Sequence, residues 1–417
     1  MNRKSSRIFY GWWIVFAAAF IRICTSGTVS HGFTAIFGPI SKEFTWSYTQ
    51  VSFAASIRGI ETGILAPLLG LVVDRWGPRR LLFTGIVIIS LGLILLSFTT
   101  SLGMFYTAYV LMAIGMSFCS GTVVLTAANY WFHKRVGLAA GIISAGGGLG
   151  GLLVPLIVKM IDIYGWRMTA SILAIGILIL CLPLSLLVRH KPEQYGYQLD
   201  GEINENVRTD RGGNPEKAIE VNISPKKAVK TSAFWHIALA LACLLMMVNA
   251  VITHVIPYLS SIGITRITAG WLASAIPIMS ISGRLGFGYL SDRFGKRLVM
   301  AGGFAMVSLG LLLFAYAGTG GLWLLILFVI LFGTGWGGVA IMRVAMLREH
   351  FGRGNFGAIH GFTVGIMMLG QLSGPLLAGW VFDKWGNYQG IWLAFAGLAI
   401  AALYIGVSTP PVSKTLR

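Results

Sequence analysis

The sequence predicts an all-α integral membrane protein in which twelve transmembrane helices form two related halves of six. Composition is the first indication: 56% of the 417 residues are hydrophobic, only 11% are charged, and the mean hydropathy is +0.77. In soluble domains about a quarter of the residues are charged, so a surface this apolar is suited to lipid. The second indication is an internal repeat, because a basic loop of the first half returns in the second.

The repeated loop is Gly70-Leu-Val-Val-Asp-Arg-Trp-Gly77, which returns as Gly288-Tyr-Leu-Ser-Asp-Arg-Phe-Gly295, 218 residues later (288 − 70). A second set repeats at an offset of 220 (357 − 137), pairing Gly137, Gly141 and Pro155 with Gly357, Gly361 and Pro375. The nearly equal offsets indicate one duplication of the chain. Repeats of this kind in a membrane protein are typical of secondary transporters, whose halves move about a site near the bilayer midplane.

Twelve apolar runs are long enough to cross a bilayer, which takes about 20 helical residues. They lie at roughly 11–35, 48–73, 81–99, 103–128, 136–160, 167–188, 233–262, 268–290, 298–318, 321–347, 356–382 and 389–408. The polar stretch between the sixth and seventh runs has little apolar periodicity and is typical of a flexible linker. We therefore predict an N-terminal six-helix bundle over 1–188, a cytoplasmic linker over 189–232 and a C-terminal six-helix bundle over 233–417.

The distribution of Lys and Arg predicts the orientation in the membrane. With the N-terminus placed inside, 23 of these residues fall on the inner side and five on the outer side. Cytoplasmic loops are enriched in Lys and Arg, so we expect both termini in the cytoplasm of a multi-pass protein of the cell membrane, the inner membrane in a Gram-negative bacterium. The same rule accounts for the net charge of +18 without a nucleic-acid partner.

Five charged residues fall within the predicted spans and raise the question of mechanism. A charged side chain in the bilayer costs at least about 2.5 kcal/mol, so it faces a bundle interior or a water-filled cavity. A guanidinium group stays charged, and its planar fork matches a carboxylate. The four arginines suit an anionic substrate and the one acid suits proton uptake, so these five carry the mechanistic question: Arg22, Arg58, Glu61, Arg284 and Arg343.

Twelve spans, a central linker and a doubled G-x-x-x-D-R-x-G-x-R loop resemble the major facilitator superfamily over essentially the whole chain. Within it, three stretches look like the monocarboxylate porter branch and its bacterial oxalate/formate-antiporter relatives. They are Tyr10-Gly-Trp-Trp, Asn129-Tyr-Trp-Phe-His-Lys-Arg-Val-Gly-Leu-Ala-Ala-Gly141 and Gly374-Pro-Leu-Leu-Ala-Gly-Trp-Val-Phe-Asp383. The middle stretch is the most specific of the three.

This resemblance implies a secondary active transporter of small monocarboxylate anions, similar to lactate and pyruvate, that works by alternating access with proton coupling. The substrate-binding arginine of the branch falls on Arg284. Ser280 stands where many proton-coupled members have an aspartate, and no lysine occurs near Ala35 or Thr363, where members of the two branches place one. Neither the usual proton relay nor the dicarboxylate-binding pair therefore carries over to this chain.

Five residues have a more specific expected role in substrate binding or coupling. Arg22 lies near the middle of span 1 and is predicted to contact the substrate, as are His31 and His254, because histidine titrates near neutral pH. Arg58 and Glu61 are three residues apart and share a face of span 2. They form either an internal ion pair or a proton-coupling element, and a lone membrane histidine is also compatible with a purely structural role.

The repeated loops are predicted to form a gate on the cytoplasmic side. Their carboxylates lie beside arginines at helix ends, where they accept backbone N–H groups and interact with the helix dipole. Arg343 is placed with this set, because a long side chain near the end of span 10 reaches the membrane surface. The predicted gate residues are Asp74, Arg75, Asp292, Arg293 and Arg343.

Other functions are open at this stage. The main alternative is an organic-anion exchanger of the oxalate/formate type or a carrier of another organic anion, and a transporter-like receptor is a further one. An enzyme is not expected, because Glu61 is the only acid within a span. The chain has no G-x-x-x-x-G-K-[ST] phosphate loop, and its four cysteines lie in apolar runs without metal-ligand spacing, so no cofactor or metal is predicted.

Overall fold

A computed structural model describes residues 9–60, 65, 69, 72–73, 76–132, 136–189, 224–351 and 356–410, and within these ranges the only regular secondary structure is helical. The N-terminal part contains α1 (Tyr10–Thr25), a π-helical segment (Ser26–His31), α2 (Phe33–Phe44), α3 (Tyr48–Ile60), α4 (Pro78–Ser97), α5 (Leu102–Phe118), α6 (Gly121–Trp131), α7 (Val136–Leu149), a short 3₁₀ turn (Gly150–Leu152) and α8 (Leu153–Leu187).

The C-terminal part begins after the linker region and is built from longer helices. It contains α9 (Pro225–Ala228), α10 (Ser232–Ser261), α11 (Arg266–Phe294), α12 (Lys296–Ala315), α13 (Ala317–Gly320), α14 (Leu322–Phe351), α15 (Phe356–Trp385) and α16 (Gln389–Val407). The predicted limits of the two bundles stay predictions, because residues 190–223 lie outside the described ranges.

Nine helices in the described part of the chain are long and apolar enough to cross a membrane. One of them, Leu138–Leu187, has 50 residues and contains two of the predicted spans, which meet where Gly165 adopts a φ of 77°. α11 has 29 residues but is less apolar than the nine, and α3 leads into residues outside the described ranges. The described helices thus fit the twelve predicted spans.

Three spans that the sequence predicts as continuous are divided in the structure, and the fifth is divided by the 3₁₀ turn Gly150–Leu152 between α7 and α8. In the first, the π-helical segment separates α1 from α2, and the N–H of Gly32 donates to the carbonyl of Gly27 at 2.7 Å. In the fourth, α5 ends at Phe118 and α6 begins at Gly121. A π-turn bonds each N–H five residues back instead of four, so the helix continues through it and Tyr10–Phe44 stays one membrane-crossing segment.

Close packing of α11 on α14 fixes the helix that carries Arg284. A Cβ added to Gly283 would meet the carbonyl of Thr334, and one added to Gly337 would meet the carbonyl of Ser280. Only glycine lets two backbones approach this closely in a membrane bundle. The position and rotation of α11 are therefore set by its neighbour in the same half of the protein.

The bundle has a proximal end, where the described chain begins and ends, and a distal end opposite to it. At the proximal end the hydroxyl of Tyr10 donates to the carbonyl of Leu187 at 2.8 Å. Arg297 likewise donates to the carbonyl of Pro410 at 2.7 Å. The sequence predicts that the proximal end faces the cytoplasm. Among the described residues, the two halves meet where α3 packs on α15, α2 on α10, and α7, the 3₁₀ turn and α8 on α11.

Candidate anion site and distal gate

Arg284 lies on the face of α11 that is turned toward α7. A Cβ on Gly148 of α7 would lie 3.1 Å from the carbonyl oxygen of Pro277 and 3.3 Å from the Cδ1 of Ile281. Arg284 follows Ile281 by three residues and Pro277 by seven, so all three share one helix face. Its side chain is half-buried. Within the described residues it has no hydrogen bond or ion pair, so the charge is held at the junction of the halves without a carboxylate.

The N-terminal half contributes a second polar group, which is centred on Gly147 of α7. The hydroxyl of Ser26 donates to the carbonyl of Gly147 at 2.9 Å, and Nε2 of His31 lies 3.3 Å from the same oxygen. A Cβ on Gly147 would lie 2.9 Å from Nη2 of Arg22. The structure therefore brings the predicted residues Arg22 and His31 together, and it adds Ser26, which the sequence did not single out.

The two groups meet the same stretch of α7 from opposite sides. Arg22 lies against Gly147, and the α11 face that bears Arg284 lies against Gly148. Glycine at both positions leaves the space that the guanidinium and the facing helix occupy. The anion site that the sequence predicts between the halves is thus compatible with the placement of both arginines.

Arg343 lies within the bundle, on the helix that packs against α11 at Gly283, and away from the position that the sequence suggested at the membrane surface. It is half-buried and eight residues before the end of α14. Its Nη1 donates to the Sδ of Met367 on α15 at 3.7 Å, whereas its Nε is buried without a hydrogen-bond partner among the described residues.

His254 is separate from this group and is enclosed at the distal end. Its exposed fraction is 0%. Nδ1 lies 2.9 Å from the hydroxyl of Tyr388, and Nε2 lies 3.0 Å from both the hydroxyl of Ser52 and the carbonyl of Pro375. Both ring nitrogens are engaged, so this environment favours a structural role over substrate contact. Ser52 belongs to the N-terminal half and the other partners to the C-terminal half, so His254 joins the two.

Asp383 at the distal end of α15 binds the N-terminus of α3 across the halves. Its Oδ1 accepts from the backbone N–H of Tyr48 at 2.8 Å. Its Oδ2 accepts from the backbone N–H of Thr49 at 2.8 Å and from the Thr49 hydroxyl at 2.6 Å. A carboxylate at a helix N-terminus satisfies free N–H groups and interacts favourably with the helix dipole. This contact is one latch of the closed distal end.

Arg266, the first residue of α11, forms a second latch. Its Nη1 lies 3.2 Å from Oδ1 of Asp162 on α8, and its Nη2 donates to the carbonyl of Ala35 on α2 at 3.0 Å. Outside this contact lies a pocket of about 530 Å³, whose lining includes Lys42, Tyr48 and Arg266. The described hydrogen bonds and ion pairs between the halves all lie in the distal part of the bundle, so the structure is closed at that end.

Part of the predicted site has no described placement. Glu61, Asp74 and Arg75 lie outside the described residues, and for Arg58 and Asp292 only the helical backbone is described. Arg293 is described and is exposed next to the end of α11. The proton-coupling pair and the cytoplasmic gate therefore stay predictions from the sequence.

Comparisons with known proteins agree with this architecture. A family model described as Major Facilitator Superfamily matches residues 13–265 and, in a second match, 237–417. The chain is similar to monocarboxylate transporter 12 of Xenopus laevis, with 27% identity over 92% of this chain and 85% of that protein. It is similar to monocarboxylate transporter 2 of Homo sapiens at 25% identity, with 94% and 84% covered. An uncharacterized MFS-type transporter, YcxA of Bacillus subtilis (strain 168), is 25% identical, with 95% and 93% covered.

Solved structures show the same fold at low sequence identity. The nucleoside transporter NupG matches with a TM-score of 0.76 and 16% identity, covering 96% of this chain and 98% of that one. A bacterial homologue of the human lysosomal transporter Spinster, in an inward-facing and unoccupied conformation, matches with a TM-score of 0.68 and 15% identity, covering 99% and 96%. At these identities the two structures are evidence for the fold alone.

Proposed function

Because the chain belongs to the major facilitator superfamily, we propose that it is a secondary active transporter of small carboxylate anions, lactate-like and pyruvate-like acids included. The chain is a multi-pass membrane protein of a transporter family and not an enzyme. The names of its curated relatives support a carboxylate substrate. The single observation that carries the proposal is Arg284, a guanidinium held at the junction of the halves without a described acid partner.

The asymmetry of the contacts between the halves supports a mechanism of alternating access. The distal latches of Asp383 and Arg266 hold that end closed. An anion bound near Arg284 therefore passes to the distal side only when both latches open. The glycines of α7 that meet Arg22 and α11 provide a surface along which the halves move.

The proposed transport is coupled to protons, and anion exchange is the alternative mechanism. The exchanger is favoured by Ser280, whose hydroxyl donates to the carbonyl of Pro277 at 2.6 Å and is fully buried. A hydroxyl in this position takes up no proton at physiological pH, so a symporter would need another proton carrier. Glu61 is the candidate for that role.

Uptake of labelled lactate, pyruvate, formate and oxalate into proteoliposomes tests the function and the coupling together. We expect saturable uptake of at least one of these acids. A pH gradient should raise the initial rate if protons are co-transported, whereas an exchanger should respond instead to unlabelled anion inside the vesicles. Empty liposomes are the control. Protein that takes up none of the four acids under either condition would contradict the proposal.

The proposed orientation, with both termini in the cytoplasm, has its own test. A reporter that fluoresces only in the cytoplasm should be bright when it is fused after Arg417, because the inner side carries most of the Lys and Arg residues. The same reporter fused within the predicted outer loop at Asn387 should be dark. A dark C-terminal fusion that is stably produced would reverse the orientation.

A further inference from the structure

We propose that Arg343 is a second substrate-binding residue and that the site prefers anions with two acidic groups over monocarboxylates, an inference that rests on the proposed function of a carboxylate carrier. The sequence suggested a different role for Arg343, at the cytoplasmic gate. The structure instead places it inside the bundle, against α15 and on the helix that packs on α11 at Gly283, the residue before Arg284.

The first step is the unused hydrogen-bonding capacity of Arg343. Its Nη1 contacts the sulfur of Met367, and its Nε is buried without a partner among the described residues. A thioether is a weak acceptor. A buried donor without an acceptor costs about 1–3 kcal/mol, and more for a charged group. Such an arrangement is stable when a ligand supplies the acceptor.

The second step is the balance of charge around the two arginines. Arg284 and Arg343 carry like charges on two helices that pack directly against each other, α11 and α14. The acids of this half whose side chains are described are engaged at the two ends of the bundle. Glu349 pairs with Lys296 at 2.7 Å, and Asp383 binds the N-terminus of α3. Within the described residues, no carboxylate offsets the two guanidinium charges.

The third step is the geometry of recognition. One carboxylate has two oxygens and is matched by the fork of one guanidinium. A monocarboxylate bound to Arg284 therefore leaves Arg343 with its donors unused and its charge uncompensated. A small dicarboxylate presents one carboxylate to each arginine and neutralises both charges. This difference favours the dianion whenever its two groups span the distance between the arginines.

Malonate and propionate provide a matched pair of probes, because both have three carbons and they differ by one carboxylate. Calorimetric titration of the purified protein should show malonate binding at least about tenfold more tightly than propionate. Arg343→Gln should weaken malonate binding by about 10- to 100-fold, as expected for a lost charge-assisted hydrogen bond. Propionate binding should change by less than about threefold. Arg343→Lys keeps the charge and should retain a reduced preference for malonate.

Two further variants complete the test. Arg284→Gln should weaken both ligands, because both use the first arginine. Asp292→Asn should leave the preference for malonate unchanged, and its loss would show that Arg343 is an ion-pair partner of Asp292. Equal weakening of both acids by Arg343→Gln, or no effect on either, would also overturn the inference. Wild-type protein that binds neither acid would instead count against the proposed carboxylate function itself.

Discussion

Replacing Arg284 with alanine is expected to abolish carboxylate binding and transport while the protein still folds. A carboxylate that leaves water loses its hydration, and a fixed charge with matching donors restores a comparable stabilisation. Arg284 is half-buried and has no described acid partner, so its removal leaves no carboxylate stranded in the described part of the bundle. Retained folding is expected for this reason. Binding to the purified variant, followed by calorimetry, is the decisive measurement.

The lysine variant separates charge from geometry at the same position. Arg284→Lys keeps the positive charge but loses the planar fork, so binding should weaken by about 1.5–3 kcal/mol. Arg348→Ala is the matched control, because Arg348 is exposed on α14 and its loss should leave affinity unchanged. Wild-type affinity in Arg284→Ala would move the anion site elsewhere, with Arg22 as the next residue to test.

Replacing Asp383 with asparagine is expected to open the distal end of the protein. The asparagine has one acceptor oxygen in place of two and no charge, so it cannot hold both Tyr48 and Thr49 of α3 as the carboxylate does. Asp383 is exposed, and screening by water reduces the value of the contact. We expect a shift of roughly tenfold in the balance between closed and open states, which corresponds to about 1.4 kcal/mol.

This change in the balance of states is measurable as the accessibility, to a thiol reagent, of a residue that lies deeper in the bundle than Asp383. Ser56 is fully buried and donates to the carbonyl of Leu372 at 2.7 Å, one helical turn further from the distal surface than Ser52. A membrane-impermeant thiol reagent added from outside should label Ser56→Cys faster in the Asp383→Asn background. Glu349→Gln is the matched control at the proximal end and should leave the rate unchanged. Equal rates in all three proteins would rule out the latch.

The fold was predictable because the bilayer constrains the chain strongly. Backbone groups in lipid must be satisfied within the helix, so each long apolar run becomes a spanning helix. The division of span 1 was not predictable, because the π-helical segment depends on close packing against another helix. A Cβ on Gly27 would lie 2.5 Å from the carbonyl oxygen of Gly150 on the 3₁₀ turn, and no local pattern reveals such a contact.

The sequence predicted the charged residues of the candidate site, but it did not predict the residues that they contact. Arg22 and Arg284 were identifiable because arginine is rare in an apolar run. The neighbour of Arg22 is a glycine on another helix, and that of Arg343 is a methionine, two residue types that carry no signal of binding. Asp383 was overlooked as a latch, because an acid at a helix end is common and its partner Tyr48 is 335 residues away in sequence.

His254 shows how packing sets the environment of a polar residue in an apolar run. A histidine in an apolar run suggested a role in substrate or proton binding, yet the structure surrounds it with hydrogen-bond partners from three other helices or loops. The residues concerned are Ser52, Pro375 and Tyr388, all more than 100 positions away along the chain. Whether a polar residue faces a cavity or a neighbour depends on helix rotation, which tertiary packing sets.

The π-helical segment also makes the exact number of residues in the first span structurally important. In an α-helix each residue turns the chain by about 100°, so one extra residue rotates everything beyond it by about that angle. Arg22 before the turn faces Gly147, whereas Thr34 after it accepts from the N–H of Ile256 at 3.2 Å. The π-helical segment thus sets the rotation of the part of span 1 that bears Thr34 relative to the part that bears Arg22. Deleting a single residue within 26–31 would rotate one part relative to the other by about 100°, even if every remaining side chain were kept.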